Sequence, residues 1–394
     1  MKNNNFSEVW QKVKLSDLGK ILTGNTPSTK CADYYNSNDV MFIKPDDLRE
    51  NKLNKINTSK VYISSIGAEK SRKVPAGSIL VTCIGTIGKV AIVEDDACFN
   101  QQINAIIPDN NIVDAKFLGY VILKYSYLLK AVANAPIVPI INKTQFSDIE
   151  INIPYLEIQK KIVEVLEKAE KALEKKKEAN RLLDELVKSR FIEMFGDLKG
   201  EKHLPLEKCT HFIDYRGKTP YISDNGIRII NAKSVGKGFF KHIDEYISED
   251  TYNSWMKRGF PVAGDVLFVT EGHTFGNVCR IPSNLQKFAM GQRVITIQGN
   301  KEVLNNAFLA QYMQTMSFQI EISKYKTGSS AQGIRSKNLQ RTMIPIPPIE
   351  LQNEFADFVK QIDKLKFEMQ NSLEEMENNF NSLMQRAFKG ELFN

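Results

Sequence analysis

Cysteine is scarce in this chain of 394 residues, and the five present, Cys31, Cys83, Cys98, Cys209 and Cys279, are far apart and odd in number. Neither a disulfide framework nor a CxxC metal knuckle can be drawn through them, so they read as reduced thiols, mostly packed. Histidine is scarcer still. His203, His211, His242 and His273 all lie in the second half, none spaced with a cysteine or carboxylate like a zinc ligand set, and no metal site is expected. Long apolar runs are missing too. The opening MKNNNFSEVWQKVKL lacks the apolar core of a secretory signal, and no stretch approaches the roughly 20 apolar residues of a membrane helix. A cytoplasmic chain without membrane association is expected. No Gly-x-Ser-x-Gly elbow occurs, and no acidic pair is placed for two metals. Arg216-Gly217-Lys218-Thr219 imitates the end of a phosphate-binding loop, but Phe212 stands where that pattern needs glycine and Pro220 blocks the following helix. No catalytic residue is expected.

What remains is an ordinary soluble composition, 42% hydrophobic and 25% charged, long enough for two to three domains. The net charge of +7 favours polyanions without deciding for them. The informative feature is a duplication. Asn152-Ile153-Pro154-Tyr155-Leu156-Glu157-Ile158-Gln159 lines up with Pro345-Ile346-Pro347-Pro348-Ile349-Glu350-Leu351-Gln352, and Gln352 lies 193 positions after Gln159. Each peptide opens a long charged stretch without interior Pro or Gly.

In the first stretch a heptad-like seam falls at Ile158, Ile162, Val165, Ala169, Ala172, Lys176, Ala179, Leu183, Leu186 and Arg190. The same spacing in the second gives Leu351, Phe355, Phe358, Ile362, Leu365, Met369, Ser372, Met376, Asn379 and Leu383. Each stretch predicts one helix of about 40 residues, roughly 60 Å long, starting after a proline cluster and ending near Gly196 or Gly390. Two helices of one phase have more apolar edge than a small domain covers, so they are expected to pair. The lone Pro154, against Pro347-Pro348, predicts a looser lead-in to the first helix.

The segments before each helix are related as well. Val74-Pro75-Ala76-Gly77-Ser78-Ile79-Leu80-Val81-Thr82 resembles Phe260-Pro261-Val262-Ala263-Gly264-Asp265-Val266-Leu267-Phe268-Val269-Thr270. Asn100-Gln101-Gln102-Ile103 parallels Met290-Gly291-Gln292-Arg293-Val294. Glycine turns running into β-branched residues predict strand-rich domains, with short helices over Lys116 to Ala133 and Asn306 to Ile322. The fold class is α+β: two strand-rich domains separated by two long antiparallel coiled-coil helices, with pseudo-twofold duplication. The expected boundaries are a first domain over 1–153, a central helix over 154–196, a second domain over 197–346 and a C-terminal helix over 347–394.

Three peptides carry a family resemblance. They are Phe191-Ile192-Glu193-Met194-Phe195-Gly196-Asp197, Ile346-Pro347-Pro348-Ile349-Glu350-Leu351-Gln352 and Leu383-Met384-Gln385-Arg386-Ala387-Phe388-Lys389-Gly390-Glu391-Leu392. Over essentially its whole length the chain resembles the specificity subunits of type I restriction-modification systems. The resemblance implies a non-catalytic subunit that recognises a split, asymmetric site in double-stranded DNA. Each target-recognition domain takes one half, and the helices set the unread spacer. It also implies two methyltransferase subunits that methylate adenine N6, joined by restriction and translocation subunits. S-adenosylmethionine, ATP and magnesium would belong to those partners, leaving this chain without a cofactor. A stand-alone adenine methyltransferase is the enzyme alternative, since Asn152-Ile153-Pro154-Tyr155 nearly matches an Asn-Pro-Pro-Tyr adenine pocket. Against it, Ile153 replaces proline and no glycine-rich turn precedes. A coiled-coil scaffold without DNA is the third reading.

Reading DNA needs cations on phosphates and amides, hydroxyls or arginines on base edges. The candidates in the first domain are Asn25, Thr26 and Ser28, Thr86 and Lys89, Gln101, and Asn142 with Lys143. Those in the second are Arg216, Lys218 and Thr219, His273 and Thr274, Arg293, and the loop carrying Lys326, Ser329, Ser330, Gln332, Arg335 and Lys337.

Overall fold

Val266-Leu267-Phe268-Val269 is apolar and fully buried at every position, as a strand covered on both faces must be. Around it and its counterpart Ile79–Thr82, the chain folds into two compact units, one of residues up to Lys176 with those from Ser372 onward, the other Lys177–Asn371. The computed structural model describes residues 10–133, 139–196, 198–217, 219–327 and 332–392.

In the first unit a five-stranded sheet runs in the order Gly19–Thr23, Ile103–Pro108, Ile79–Thr82, Val90–Val93, Leu53–Ile56. A four-stranded sheet has the order Tyr62–Ile63, Val40–Ile43, Ala97–Phe99, Lys73–Val74, with its central pair parallel. The helix Ala115–Lys124 starts at Asp114, whose carboxylate accepts from the N–H groups of Lys116 and Phe117 at 2.9 and 3.0 Å. Its Phe117, Leu118 and Val121 share one core with Val90 and Ile92 of the sheet.

The second unit repeats this plan. Its four-stranded sheet has the order Thr210–Asp214, Val294–Gly299, Val266–Val269, Val278–Arg280. A three-stranded sheet has the order Tyr246–Ile247, Ile227–Ile230, Phe288–Met290, its last pair parallel. The expected short helices are each broken in two, into Ala115–Lys124 with Ser126–Val132 and Asn306–Tyr312 with Met316–Ser323. At the second break the Thr315 hydroxyl donates to the Tyr312 carbonyl at 2.7 Å and accepts from the Phe318 N–H at 3.4 Å, so a side chain competes for the helical backbone.

Each unit leads into its long helix through a two-stranded ribbon, Gln11–Lys14 with Glu150–Ile153 and Lys202–Pro205 with Met343–Ile346. Asn152, weighed above as part of an adenine pocket, lies in the first ribbon opposite Lys12. The helices span Leu156–Phe195 and Ile349–Phe388, 40 residues each. The looser first lead-in is not found. Gln159 N–H reaches Tyr155 at 3.1 Å and Gln352 N–H reaches Pro348 at 3.2 Å, because a buried glutamine, not the proline count, sets the first turn. The Gln159 side chain accepts from the Asp114 N–H (2.9 Å) and donates to the Ile112 and Pro154 carbonyls (3.1 and 2.8 Å). Gln352 does the same with Asn305 N–H (2.9 Å) and the Val303 and Pro347 carbonyls (3.1 and 2.8 Å).

The two helices pack against each other in both units. In the second, Phe191 and Phe195 meet Phe355 at 5.4 and 5.7 Å, Arg190 pairs with Glu354 at 3.0 Å, and Lys366 pairs with Asp184. Since 184 faces 366 and 190 faces 354, the helices run antiparallel. In the first, Ile162, Val163 and Leu166 share a core with Met384, Ala387 and Phe388. The buried stripe is wider than the expected seam. Leu166, Leu173, Phe191, Val359, Leu373 and Met384, each one residue after a seam position, are buried, while Ala172, Leu186, Leu365 and Asn379 are exposed. The helices cover their own sheets as well as each other, which draws the apolar face beyond a two-residue seam. The distal ends are held by aromatic contacts, Phe388 on Phe117 at 5.6 Å and Phe195 on Phe308 at 4.9 Å.

Replacing Gln352 with alanine leaves one buried N–H and two carbonyls without their partner. We expect a loss of about 2–3 kcal/mol in urea unfolding of the full chain. Gln352→Glu should cost more, because a carboxylate would face the carbonyl oxygens of Val303 and Pro347.

Candidate nucleic-acid interface

Strand register brings the candidate loops to one end of each sheet. In the first unit Thr23 pairs with Asn104 and Thr82 with Ile103, so the loops leaving Thr23 and Thr82 and the loop entering Ile103 emerge together. In the second, Asp214 pairs with Ile295 and Val269 with Val294, with the same result. A fourth segment joins each group through main-chain bonds. Gly85 N–H donates to Pro139 (3.0 Å) and Ile141 N–H to Cys83 (2.9 Å); Gly272 N–H donates to Gln332 and Ile334 N–H to Thr270, both at 2.9 Å.

In the first unit the exposed Thr26 hydroxyl donates to Gln101 Oε1 at 2.6 Å, joining two of the candidates. Ser28, Thr86 and Lys143 are exposed. Lys89 is half-buried, its ammonium 3.3 Å from the Pro45 carbonyl. Two asparagines are engaged by backbone. Asn25 donates to the Lys70 carbonyl (2.8 Å) and accepts from the Arg72 N–H (2.7 Å), and Asn142 caps the helix Lys143–Ser147 by accepting from the Gln145 N–H (2.8 Å). A cavity of about 250 Å³ beside Thr86 and Lys89 is lined also by Asn51, Ser126 and Lys130, residues that sequence reasoning passed over. Asn51 has φ +54°, uncommon outside glycine, and such a value is the kind of signal only coordinates supply.

The second unit repeats the threonine–glutamine contact: Gln292 Nε2 donates to the Thr219 hydroxyl. Arg216 is held by both oxygens of Asp214, at 2.9 and 2.7 Å. Burial pushes the Asp214 carboxyl upward, but the hydrogen bonds and charge of Arg216, with Arg258 nearby, outweigh it and hold the group below its ordinary value. Arg258, also missed in the sequence, donates to the carbonyls of Asp214 and Arg216 at 3.0 and 3.3 Å. His273 is exposed and Thr274 half-buried. Lys326 lies 5.1 Å over the Phe275 ring. Thr327 and Gly333 bond to each other in both directions, at 2.9 and 3.0 Å, beside the exposed Gln332. Arg335 and Lys337 are exposed and make no ion pair among the described residues. Lys218, Ser329 and Ser330 lie outside the described residues.

Arg293 stands apart from these. Its φ of +64° is left-handed, a conformation that costs a non-glycine residue about 1–3 kcal/mol. The exposed pair it forms with Glu271 at 3.2 Å contributes about 0–1 kcal/mol and does not offset this. The backbone holds it instead: the Arg293 carbonyl accepts from both the N–H and the hydroxyl of the buried Thr270, at 2.9 and 3.2 Å.

Each unit thus presents a face of four loops carrying hydroxyls, amides and cations. Among the described residues no group of three His, Cys, Asp or Glu is arranged to hold a metal, and no helix is long and apolar enough to cross a membrane. The model of the type I restriction modification DNA specificity domain matches residues 7–182 and again 205–377. The chain belongs to this family. It is 36% identical over 167 residues to the HindI specificity subunit of Haemophilus influenzae, covering 40% of this chain and 36% of that one. The MjaIX specificity subunit of Methanocaldococcus jannaschii is 30% identical over 198 residues, with 49% and 45% covered; the chain therefore matches less than half the length of either relative. The MjaVIII specificity subunit of the same archaeon is 22% identical over 405 residues, with 92% and 90% covered. The fold is shared with the specificity subunit of a type I restriction-modification system from M. genitalium, at a TM-score of 0.55 and 15% identity over 98% of both chains. A chain from a structure of the assembly of a type I system aligns at 0.59 and 16% identity, over 97% and 98%.

The Asp214–Arg216 pair has a pH signature. The carboxyl is depressed in the folded state, so its contribution to stability is complete above the unfolded value near 3.8 and is lost as pH falls through the lower folded one. Unfolding midpoints of wild type and Asp214→Asn should therefore differ at neutral pH and converge in strong acid.

Proposed function

We propose that this chain recognises a bipartite, asymmetric sequence in double-stranded DNA, and that it directs adenine-N6 methylation and restriction carried out by partner subunits. The observation that carries this is the repeated four-loop face, built from different side chains on one frame. Two copies of one frame suit two half-sites, and different side chains suit an asymmetric word. Exposed cations such as Lys143, Arg335 and Lys337 suit phosphates, while Thr26 with Gln101 and Thr219 with Gln292 present amides and hydroxyls suited to base edges. Two methyltransferase subunits are the proposed companions, joined by restriction and translocation subunits. S-adenosylmethionine, ATP and magnesium serve those partners, and this chain binds none of them. The proposed domain division is a reading domain over 1–153, the central helix over 154–196, a second reading domain over 197–346 and the last helix over 347–394. The proposed setting is the cytoplasm.

The full chain, purified with its methyltransferase partner, should protect one split site on DNA. Equal affinity for all sequences at moderate salt would overturn the reading. Exchanging the residues before Ile153 for those of a relative should change one half of the methylated site and spare the other.

Helix length is proposed to set the unread spacer. Removing one heptad from each long helix shortens it by roughly 10 Å, about three base pairs of B-form DNA. Methylome sequencing should then report the same half-sites with a shorter gap, and an unchanged gap would contradict the role.

A further inference from the structure

Most cations on the face of the second unit are spoken for or unpositioned. Arg216 has Nε and Nη2 occupied by Asp214, Lys326 rests on the Phe275 ring, and Arg335 and Lys337 extend without a partner among the described residues. Arg293 differs from all of them. Glu271 holds only its Nε, at 3.2 Å, and Nη1 and Nη2 have no protein acceptor among the described residues. Arg293 immediately precedes the strand Val294–Gly299, buried over its first four residues, and Glu271 follows two positions after the fully buried strand that ends at Val269. Glu271 is bridged to Gly333, and a Cβ on Gly333 would stand 3.0 Å from that of Glu271. Gly272, at φ +93°, leaves the space beside Nη1 open: the nearest atom to a Cβ there would be Nη1 itself, 3.9 Å away. A guanidinium paired through Nε with the exposed Glu271 carboxylate, its terminal fork left free, has the geometry that matches two acceptors in one plane.

We propose that Arg293 reads a guanine in the half-site taken by the second unit, donating through Nη1 and Nη2 to O6 and N7 in the major groove, with Glu271 as the positioning residue. This rests on the DNA-recognition reading above and adds to it one base and one residue. Among the described residues the first unit has no such device. There the Cys83 N–H donates to Gln102 as the Thr270 N–H does to Arg293, and the Gln102 side chain accepts from Asn100 at 2.9 Å. The two half-sites should therefore differ in their dependence on a guanine contact of this kind.

The test uses the full chain with its methyltransferase partner and duplexes of the methylated site in which each guanine in turn is replaced by 7-deazaguanine, which lacks the N7 acceptor. At one guanine of the second half-site the wild-type complex should bind about tenfold more weakly. Arg293→Gly, which suits the left-handed backbone and removes the fork, should keep or raise thermal stability, lose the preference for that guanine, and show no further loss with the deaza base. Arg293→Lys should keep part of the preference. Glu271→Ala should weaken it, and Glu271→Gln should restore some of it. If the wild-type complex discriminates its site but no guanine in that half responds to the deaza base, the assignment fails while the recognition reading stands; the same holds if Arg293→Gly still responds. If no site is discriminated at all, the recognition reading itself fails and takes the assignment with it.

Discussion

A helix of 40 residues with an apolar stripe cannot stand alone in water, and the rest of the fold follows from how that stripe is covered. The cover is shared between sheet and partner helix, so neither globular part is complete without pieces of both rods. Near the start of each helix one fully buried glutamine, Gln159 or Gln352, ties the helix to the proline that precedes it and to the loop that leads into the domain's short helix, through three hydrogen bonds to backbone. A buried amide bonded in this way leaves its neighbours little freedom to slide, since any shift strands a polar group away from water. Antiparallel pairing then brings the far end of the other helix onto the same domain through Phe388 or Phe195.

The two loop faces inherit their placement from this frame. Strand register aligns three loop exits, and main-chain bonds add the fourth segment. Side chains contribute where a loop must be tied to its neighbour, as in the threonine–glutamine contacts that both faces share. Elsewhere the faces diverge: the second carries arginines balanced by Asp214 and Glu271, and the first presents a cavity with Asn51 and Lys130 at its wall. This combination of common support and private chemistry suits the proposed reading of two unlike half-sites.

The helices, their pairing and the duplicated domain order were legible because heptad spacing, proline and glycine punctuation and repeated peptides are direct consequences of backbone geometry. The glutamine in the repeated peptide could be located but its role could not, since its partners Asp114, Asn305 and the neighbouring carbonyls lie about 45 residues away. The face was legible as loops and less so as individual groups. Asn25 and Asn142 have the right side chain for a base edge, yet both bond to nearby backbone, and residue type alone does not separate those uses. Asn51, Lys130 and Arg258 belong to the face because of folds in the chain that no local pattern announces. The width of the buried stripe was misjudged for a related reason: a seam counts one neighbour, and these helices have two.

The fourth segment of each face is hydrogen-bonded in through peptide groups, Gly85 to Pro139 and Ile141 to Cys83 in one copy, Gly272 to Gln332 and Ile334 to Thr270 in the other. Every residue carries a carbonyl and every residue but proline an N–H, and Pro139 enters here as an acceptor. Natural variation can therefore rewrite letters on these loops, away from the left-handed Gly85 and Gly272 and the buried Ile141 and Ile334, while the mounting beneath them stays put. A lineage under pressure to change its vocabulary has such loops at its disposal, and it need not learn to fold again.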